Sequence, residues 1–344
     1  MATMADVARL AGVSVKTVSN VLNGYPYIRE ATRERVLAAV AELGYELNVP
    51  ARSLRSGRSG IIGLAVPELG QPYFGELADE VLAAGRRHGV HVLIEVTGFT
   101  RDGELAALRE PRRGLMDGLL FSPAVLEQRD VPLLEAVEYP LVLLGEQVFS
   151  PRIDHVTMRN VEASRAATEL LLGHGRRHVA VIGMLHAESA GSATLRFDGY
   201  RQALDAHGIA LDGRLIGWAD DGWHRENGAR AMADVLDSGV PVDGVVAFND
   251  ALAIGAMAEL RVRGRAVPDD VAVVGFDDVE DARYAVPALT TVDPGRREIA
   301  DVAVELLTRR VRERRNPPAD GVRPVLHLAD MRVVERGSTP RTGT

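Results

Sequence analysis

Residues 6–24 read DVARLAGVSVKTVSNVLNG, and this stretch decides what the head of the chain is. Thr3 followed by Asp6 is a capping-box-like pattern, with an acid near the positive end of a helix. Val7, Leu10 and Ala11 fall on one helical face, and Gly12 supplies the permissive backbone of a tight turn. Ser14 is a good N-cap for a second helix, whose buried stripe is Val18, Val21 and Leu22; Asn23-Gly24 ends it. A third helix is expected from Glu30 to Leu43, burying Val36, Leu37, Val40 and Leu43 and capped by Gly44. Two short helices joined by a glycine turn, with a third in support, fit a helix-turn-helix or any other three-helix bundle. The outward residues favour the first. Val15, Lys16, Thr17, Ser19 and Asn20 are short, hydrogen-bonding or cationic, as suits the groove-facing end of a recognition helix.

The charge distribution agrees. The chain of 344 residues carries a net charge of −8, yet residues 1–60 hold eight basic against five acidic residues. A basic head on an acidic body confines contact with a polyanion to the head. Hydrophobic residues make up 46% and charged residues 26%, an ordinary balance for two or three globular units. There is no cysteine, so disulfides, thiolate zinc sites and cysteine nucleophiles are excluded together. Lys16 is the only lysine, which excludes a Walker A loop and a lysine Schiff base elsewhere. The dinucleotide-like start Gly173-His174-Gly175 has His178 where the third glycine belongs. No apolar run is long enough for a membrane span, and no signal-peptide core opens the chain, so a cytoplasmic protein is expected.

From residue 61 the chain alternates short apolar strands (IIGLAVP, VHVLIEV, DGLLF, PLVLLG, HVAVIG, GVVAF, VAVVGF) with amphipathic helices. This predicts two parallel α/β sheets with a ligand cleft beyond the carboxyl ends of their strands. Polar and aromatic residues just after strands are the candidates: Tyr73, Phe74, Glu146, Asn249, Asp250, Asp277 and Asp278. For Asn249 and Asp277 an N-cap or turn role fits equally. His174 and His178 straddle a helix end without a third ligand nearby and read as capping or surface residues. Arg309–Arg315 reads as a solvated helix face.

The ordered runs DVARLAGVSVKTVSNVLNG, ATRERVLAAVAELGYELN and ARSLRSGRSGIIGLAVP resemble the LacI/GalR family of bacterial transcription regulators, and the similarity continues across nearly the whole chain. The resemblance implies an N-terminal all-α helix-turn-helix domain plus an α/β periplasmic-binding-protein-like core of two parallel-sheet lobes. The implied boundaries are 1–47 for the head and 48–60 for a hinge helix and linker. The core would span 61–337, with an N-lobe of about 61–160 and 291–319 and a C-lobe of about 161–290 and 320–337. Residues 338–344 are expected to be a disordered tail. Val15, Lys16 and Asn20 take the base-reading positions, within an implied DNA-binding set of Thr3, Ser14, Val15, Lys16, Thr17, Ser19, Asn20, Asn23 and Tyr27. Arg52, Ser53 and Leu54 follow in the hinge, with Leu54 wedged into the minor groove. Two positions depart from the family: Arg29 replaces the usual N-cap of the third helix, and Arg159 replaces an acid common in the pocket. The implied effector set is Tyr73, Phe74, Glu146, Arg196, Trp223, Asn249 and Asp277.

The function implied is a repressor whose operator affinity is set by a small-molecule effector, a sugar or sugar derivative being expected. Its partners are then near-palindromic double-stranded operator DNA and a second copy of the chain in a homodimer. No cofactor, metal or catalytic residue is expected. The same core would also serve a ligand-binding transport component, or an enzyme pairing Asp250, Asp277 and Asp278 for acid/base work. The attached head argues against the first, and the lack of a nucleophile, metal set or cofactor loop against the second.

Overall fold

The computed structural model describes residues 2–22, 25–45, 59–109, 115–186, 191–220, 222–314, 316–317 and 323–340. The chain divides into two compact units, Met1–Ser59 and Gly60–Thr344. In the first, α1 (Met4–Ala11), α2 (Val15–Leu22) and α3 (Glu30–Glu42) close on Val7, Ala8, Ala11, Val18, Val21, Val36 and Ala39. The capping box forms: the Asp6 amide donates to Thr3 Oγ1 at 3.3 Å, and the Thr3 amide donates to Asp6 Oδ2 at 2.9 Å. Gly12 turns the chain at φ 64°, and Ser14 Oγ accepts the Thr17 amide at 3.1 Å. Arg29 occupies the N-cap of α3 without a side-chain cap. One expected core residue is corrected: Leu37 is 49% exposed, because the small Ala39 takes the inner position of α3; Leu10, expected on one face with Val7 and Ala11, is 46% exposed while Ala8 is buried. So small a unit lets the helices approach closely only where side chains are short.

The second unit holds two six-stranded sheets. The first runs in the order β11-β5-β4-β3-β1-β2, formed by β1 (Ile61–Val66), β2 (His91–Val96), β3 (Gly118–Phe121), β4 (Leu141–Leu144), β5 (Asp154–Met158) and β11 (Leu326–Ala329). The second runs β12-β10-β9-β8-β6-β7, from β6 (Val179–Met184), β7 (Ile216–Trp218), β8 (Gly244–Ala247), β9 (Ala272–Phe276), β10 (Thr290–Asp293) and β12 (Arg332–Val334). Among the described residues all pairings are parallel except β10 with β12, which is antiparallel. Strands such as LVLL and AVVGF are buried throughout because helices cover both faces.

The first lobe carries α4 (Pro72–His88), α5 (Arg101–Leu108), α6 (Val131–Glu135) and α12 (Arg296–Glu313). The second carries α7 (Asn160–Gly173), α8 (Ser192–Ala206), α9 (Arg225–Asp237), α10 (Asp250–Val262) and α11 (Glu280–Tyr284). Helices α9 and α10 pack backbone to backbone. A Cβ on Gly228 would stand 2.2 Å from Leu252 O, and one on Gly255 would stand 1.9 Å from Arg225 O.

The chain passes between lobes three times, before α7, before α12 and between β11 and β12. The lobe boundaries expected from sequence shift accordingly. Residues 290–293 belong to the second sheet through β9, and 326–329 belong to the first through β5, since main-chain pairing rather than hydropathy assigns each strand. The tail expectation is also corrected. Ser338 and Thr339 are buried, with Ser338 Oγ donating to Val273 O at 2.6 Å and accepting the Thr290 amide at 2.7 Å. The main chain of Ser338 pairs there as well, accepting the Val273 amide at 2.9 Å and donating to Ala288 O at 2.9 Å. The arginine-rich end of α12 is not all solvated either: Arg310 forms a bidentate ion pair with buried Asp154 at 2.5 and 2.7 Å.

Candidate functional site

In the head, α2 buries Val18 and Val21 and turns Val15 and Lys16 to solvent, with Ser19 and Asn20 half-buried between. Thr17 points back to the start of the helix, its Oγ1 2.9 Å from Ser14 Oγ, so this pair serves as a cap. Thr3 is likewise engaged in the α1 cap, and Tyr27 is exposed with its ring edge-on to Tyr25 at 5.6 Å. Asn23, Arg52, Ser53 and Leu54 lie outside the described residues.

The larger unit contains a cleft of about 440 Å³ between the two lobes, within the range of small-molecule sites. Its walls are the segments that leave the carboxyl ends of strands in both sheets, as parallel-sheet topology dictates. Tyr73 and Phe74 enter from the start of α4, packed edge to face at 5.4 Å. Glu146 follows β4, Trp223 follows β7 and Asp277 follows β9. The loop after β3 is fixed by Glu104, a fully buried carboxylate that accepts the amides of Ala124, Val125 and Leu126 at 2.6–2.9 Å.

Arg196, on α8, is buried at the cleft wall. Its Nε donates to Asn160 Oδ1 at 2.8 Å and its Nη1 to Phe248 O, while the guanidinium carbon stands 3.6 Å from the Phe276 ring centre. Among the described residues it has no carboxylate within ion-pair distance. Burial lowers its basicity, partly offset by the fields of Asp277 and Glu146. Burial also raises the carboxyl of Glu146 and pushes that of Asp277 up to about 7, against the pull of Arg196 and, for Asp277, Arg296. Glu146 Oε1 accepts a hydrogen bond from Ser192 Oγ of the opposite lobe. The side chains of Asn160 and Thr157 stand beside Glu146 and hold its carboxyl down against the effect of burial. The site therefore offers a buried cation, carboxyl acceptors and aromatic faces.

Six of the seven residues expected around a ligand line this cleft: Tyr73, Phe74, Glu146, Arg196, Trp223 and Asp277. Asn249 does not, and that expectation is corrected. Its Oδ1 accepts the Leu252 amide at 2.7 Å as N-cap of α10, and its Nδ2 donates to Trp223 O at 3.0 Å, so it supports the Trp223 segment from behind. Asp250 is also turned inward, accepting from Thr291 Oγ1 at 2.5 Å and from the Val279 amide at 3.0 Å, which removes it from acid/base work in the cleft. Lining residues not anticipated include Glu68, Gln71, Phe99, Thr157, Ser192, Asp220 and His224. Thr157 and Asp220 escaped because β5 is polar and β7 only three residues long, so neither strand shows in the hydropathy pattern. Glu68 and His224 face each other across the lobes at 3.3 Å.

A helix-turn-helix head joined to a two-lobed cleft module defines an effector-controlled DNA-binding regulator. Residues 3–48 match the bacterial regulatory proteins of the lacI family, and residues 168–339 match a periplasmic binding protein-like domain. The Ribose operon repressor of Halalkalibacterium halodurans is 31% identical over 318 residues, covering 91% of this chain and 92% of the relative. Among solved structures, a putative LacI-family regulator from Sanguibacter keddieii is 49% identical, covers 82% of this chain and 98% of that one, and superposes with a TM-score of 0.73. A complex of the regulator CelR with cellobiose is 29% identical, covers 98% of this chain and 100% of that one, with a TM-score of 0.71. The Lac repressor dimer bound to operator and the anti-inducer ONPF is 26% identical, covers 98% and 99%, and has a TM-score of 0.82. The chain belongs to the lacI family of bacterial regulatory proteins, and it is a DNA-binding transcription regulator. Among the described residues, no helix is long and apolar enough to cross a membrane.

Proposed function

We propose that the cleft holds a small carbohydrate, and that its occupancy controls the binding of a homodimer to a near-palindromic operator. The observation that carries this reading is Arg196, a buried guanidinium at the cleft wall with no ion-pair partner among the described residues. A planar cation of this kind donates to vicinal hydroxyls in pairs, while Asp277 and Glu146 accept from them. Tyr73, Phe74 and Trp223 supply apolar faces for the C–H side of a sugar ring. The cellobiose complex of CelR supports a carbohydrate, and the operator complex of the Lac repressor dimer supports a two-fold assembly on DNA.

In the head, Val15, Lys16 and Asn20 would read base edges. Thr3, Ser14, Thr17, Ser19, Asn23 and Tyr27 would position the helix on the backbone, and Arg52, Ser53 and Leu54 would act at the hinge. Effector binding favours one arrangement of the lobes and so biases how paired copies present their heads, by no more than its difference in affinity for the two states. Selection of operators from a random DNA pool, at two salt concentrations and with and without a panel of mono- and disaccharides, tests this. A near-palindrome whose retention falls steeply with salt and shifts with one sugar is the expected outcome. Enrichment of an asymmetric site would refute the dimer reading, and indifference of a recovered operator to the whole panel would refute a carbohydrate effector.

A further inference from the structure

Two consecutive residues that are not glycine, Asp277 and Asp278, hold positive φ angles of 114° and 50°. Such backbone persists only where the surroundings over-determine it. Its amide side is held by its own lobe. The Asp277 amide donates to Val292 O at 2.8 Å, the Asp278 amide to Thr291 Oγ1 at 3.4 Å and the Val279 amide to Asp250 Oδ2 at 3.0 Å. The carbonyl side is held by the other lobe. Arg296, the first residue of α12, donates through Nη1 to Asp277 O at 2.7 Å and through Nη2 to Asp278 O at 3.4 Å.

The same Nη2 is paired with Glu76 Oε2, from the first turns of α4, the helix that also presents Tyr73 and Phe74. Glu76 Oε1 then accepts the Glu280 amide of the second lobe at 2.7 Å. A single ion pair of the first lobe thus takes two carbonyls and one amide from a four-residue segment of the second. Arg296 is about 16% exposed, so little water competes for these bonds.

We propose that Arg296, oriented by Glu76, is the positioning residue of the cleft: it holds the strained Asp277–Asp278 turn so that the Asp277 carboxyl faces the ligand space, and it does so only while the lobes are together. The conformation of Asp277 and the closure of the cleft are then one event. When the lobes part, the two carbonyls lose their donor, and the turn is left held by its amides and by the pairing of the Asp278 carboxylate with Arg336 of its own lobe. The proposal rests on the reading of this cleft as the effector site, but its test needs no effector.

Hydrogen exchange followed by mass spectrometry on the full-length protein compares the parent with Arg296→Gln, Arg296→Lys and Glu76→Gln. Exchange at 277–280 is expected to rise about 10-fold or more in Arg296→Gln, with peptides inside α12 and α4 unchanged, since loss of a local tether opens the segment it held. Glu76→Gln should raise exchange at Glu280 alone or together with the turn. Arg296→Lys, which keeps the charge but not the fork, should fall between parent and Gln, and it gives the same comparison if the Gln variant does not fold. Unchanged exchange at 277–280, or a rise spread evenly over α12, would overturn the proposal and leave Arg296 a structural residue of its helix. Failure of the effector reading would show instead as cleft variants such as Arg196→Met leaving ligand response intact, with the exchange result unaffected.

Discussion

The guanidinium of Arg196 lies 3.6 Å from the centre of the Phe276 ring and 5.3 Å from that of Trp223, its charge met by ring faces and by the carbonyl of Phe248 in place of a carboxylate. Its three nitrogens already bond Asn160 Oδ1, Phe248 O and, at 3.3 Å, Met158 Sδ, so the two N–H groups left on Nη1 and Nη2 are what it can offer a ligand.

Arg196→Met removes those donors while keeping much of the side-chain volume. Two charge-assisted hydrogen bonds to a ligand contribute about 3–6 kcal/mol together, so sugar affinity measured by calorimetry should fall at least about 100-fold. Operator affinity without ligand should stay within a few fold. Retained sugar affinity would place the ligand elsewhere in the cleft.

Asp277 makes the free protein sensitive to pH. Its folded carboxyl titrates near 7, above its unfolded value, so folding favours the protonated form. This contribution is complete below about pH 4 and is lost as pH rises through 7. Melting temperatures of the parent should therefore decline between pH 5 and 8 relative to Asp277→Asn. At pH 8 the variant should be the more stable, by a difference on the order of 2–4 kcal/mol at most. Parallel melting curves for the two proteins across that range would count against the raised carboxyl.

Arg29→Ser should stabilise the head. Residue 29 sits at the N-cap of α3 in extended backbone, φ −61° and ψ 137°, with no side-chain acceptor for the free amides of the first turn. Supplying a hydroxyl there should add about 0.5–2 kcal/mol, visible as slower amide exchange along α3. No change would mean that another group already satisfies those amides.

Lys16→Ala and Asn20→Ala test the reading face of α2. A side chain that bonds a base edge discriminates by about 1–3 kcal/mol, so each substitution should weaken binding to a selected operator about 5–150-fold. Binding to unrelated DNA should change little for Asn20→Ala, and Lys16→Ala should also flatten the salt dependence if it meets a phosphate. Equal losses on both DNAs for Asn20→Ala would show that it contributes no base recognition.

Much of this molecule is legible in one dimension because its decisive signals are local. The Thr3–Asp6 box, the Gly12 turn and the Ser14 cap each involve residues within a few positions of one another, so sequence alone determined where α1 and α2 begin and how they join. The apolar runs of the central strands reveal two parallel sheets, and topology then places candidates such as Tyr73, Glu146 and Asp277 at their carboxyl ends. Arg196 came from resemblance, since nothing in the local pattern of α8 marks it out.

Tertiary structure decided the rest, because the rest depends on partners far apart in the chain. Hydropathy cannot see β5, whose polar Asp154, His155 and Thr157 are buried by pairing with β4 and β11 and by Arg310, 156 residues away from Asp154. It cannot tell Asn249, a cap behind the wall, from Asp277, which faces the space, since both follow a strand in the same manner. Nor does it show that the end of the chain closes the second sheet, where Ser338 bridges Val273 and Thr290. Local chemistry sets elements and caps; the assignment of strands to lobes, and of polar residues to wall or support, follows from hydrogen bonds that exist only once the lobes are assembled.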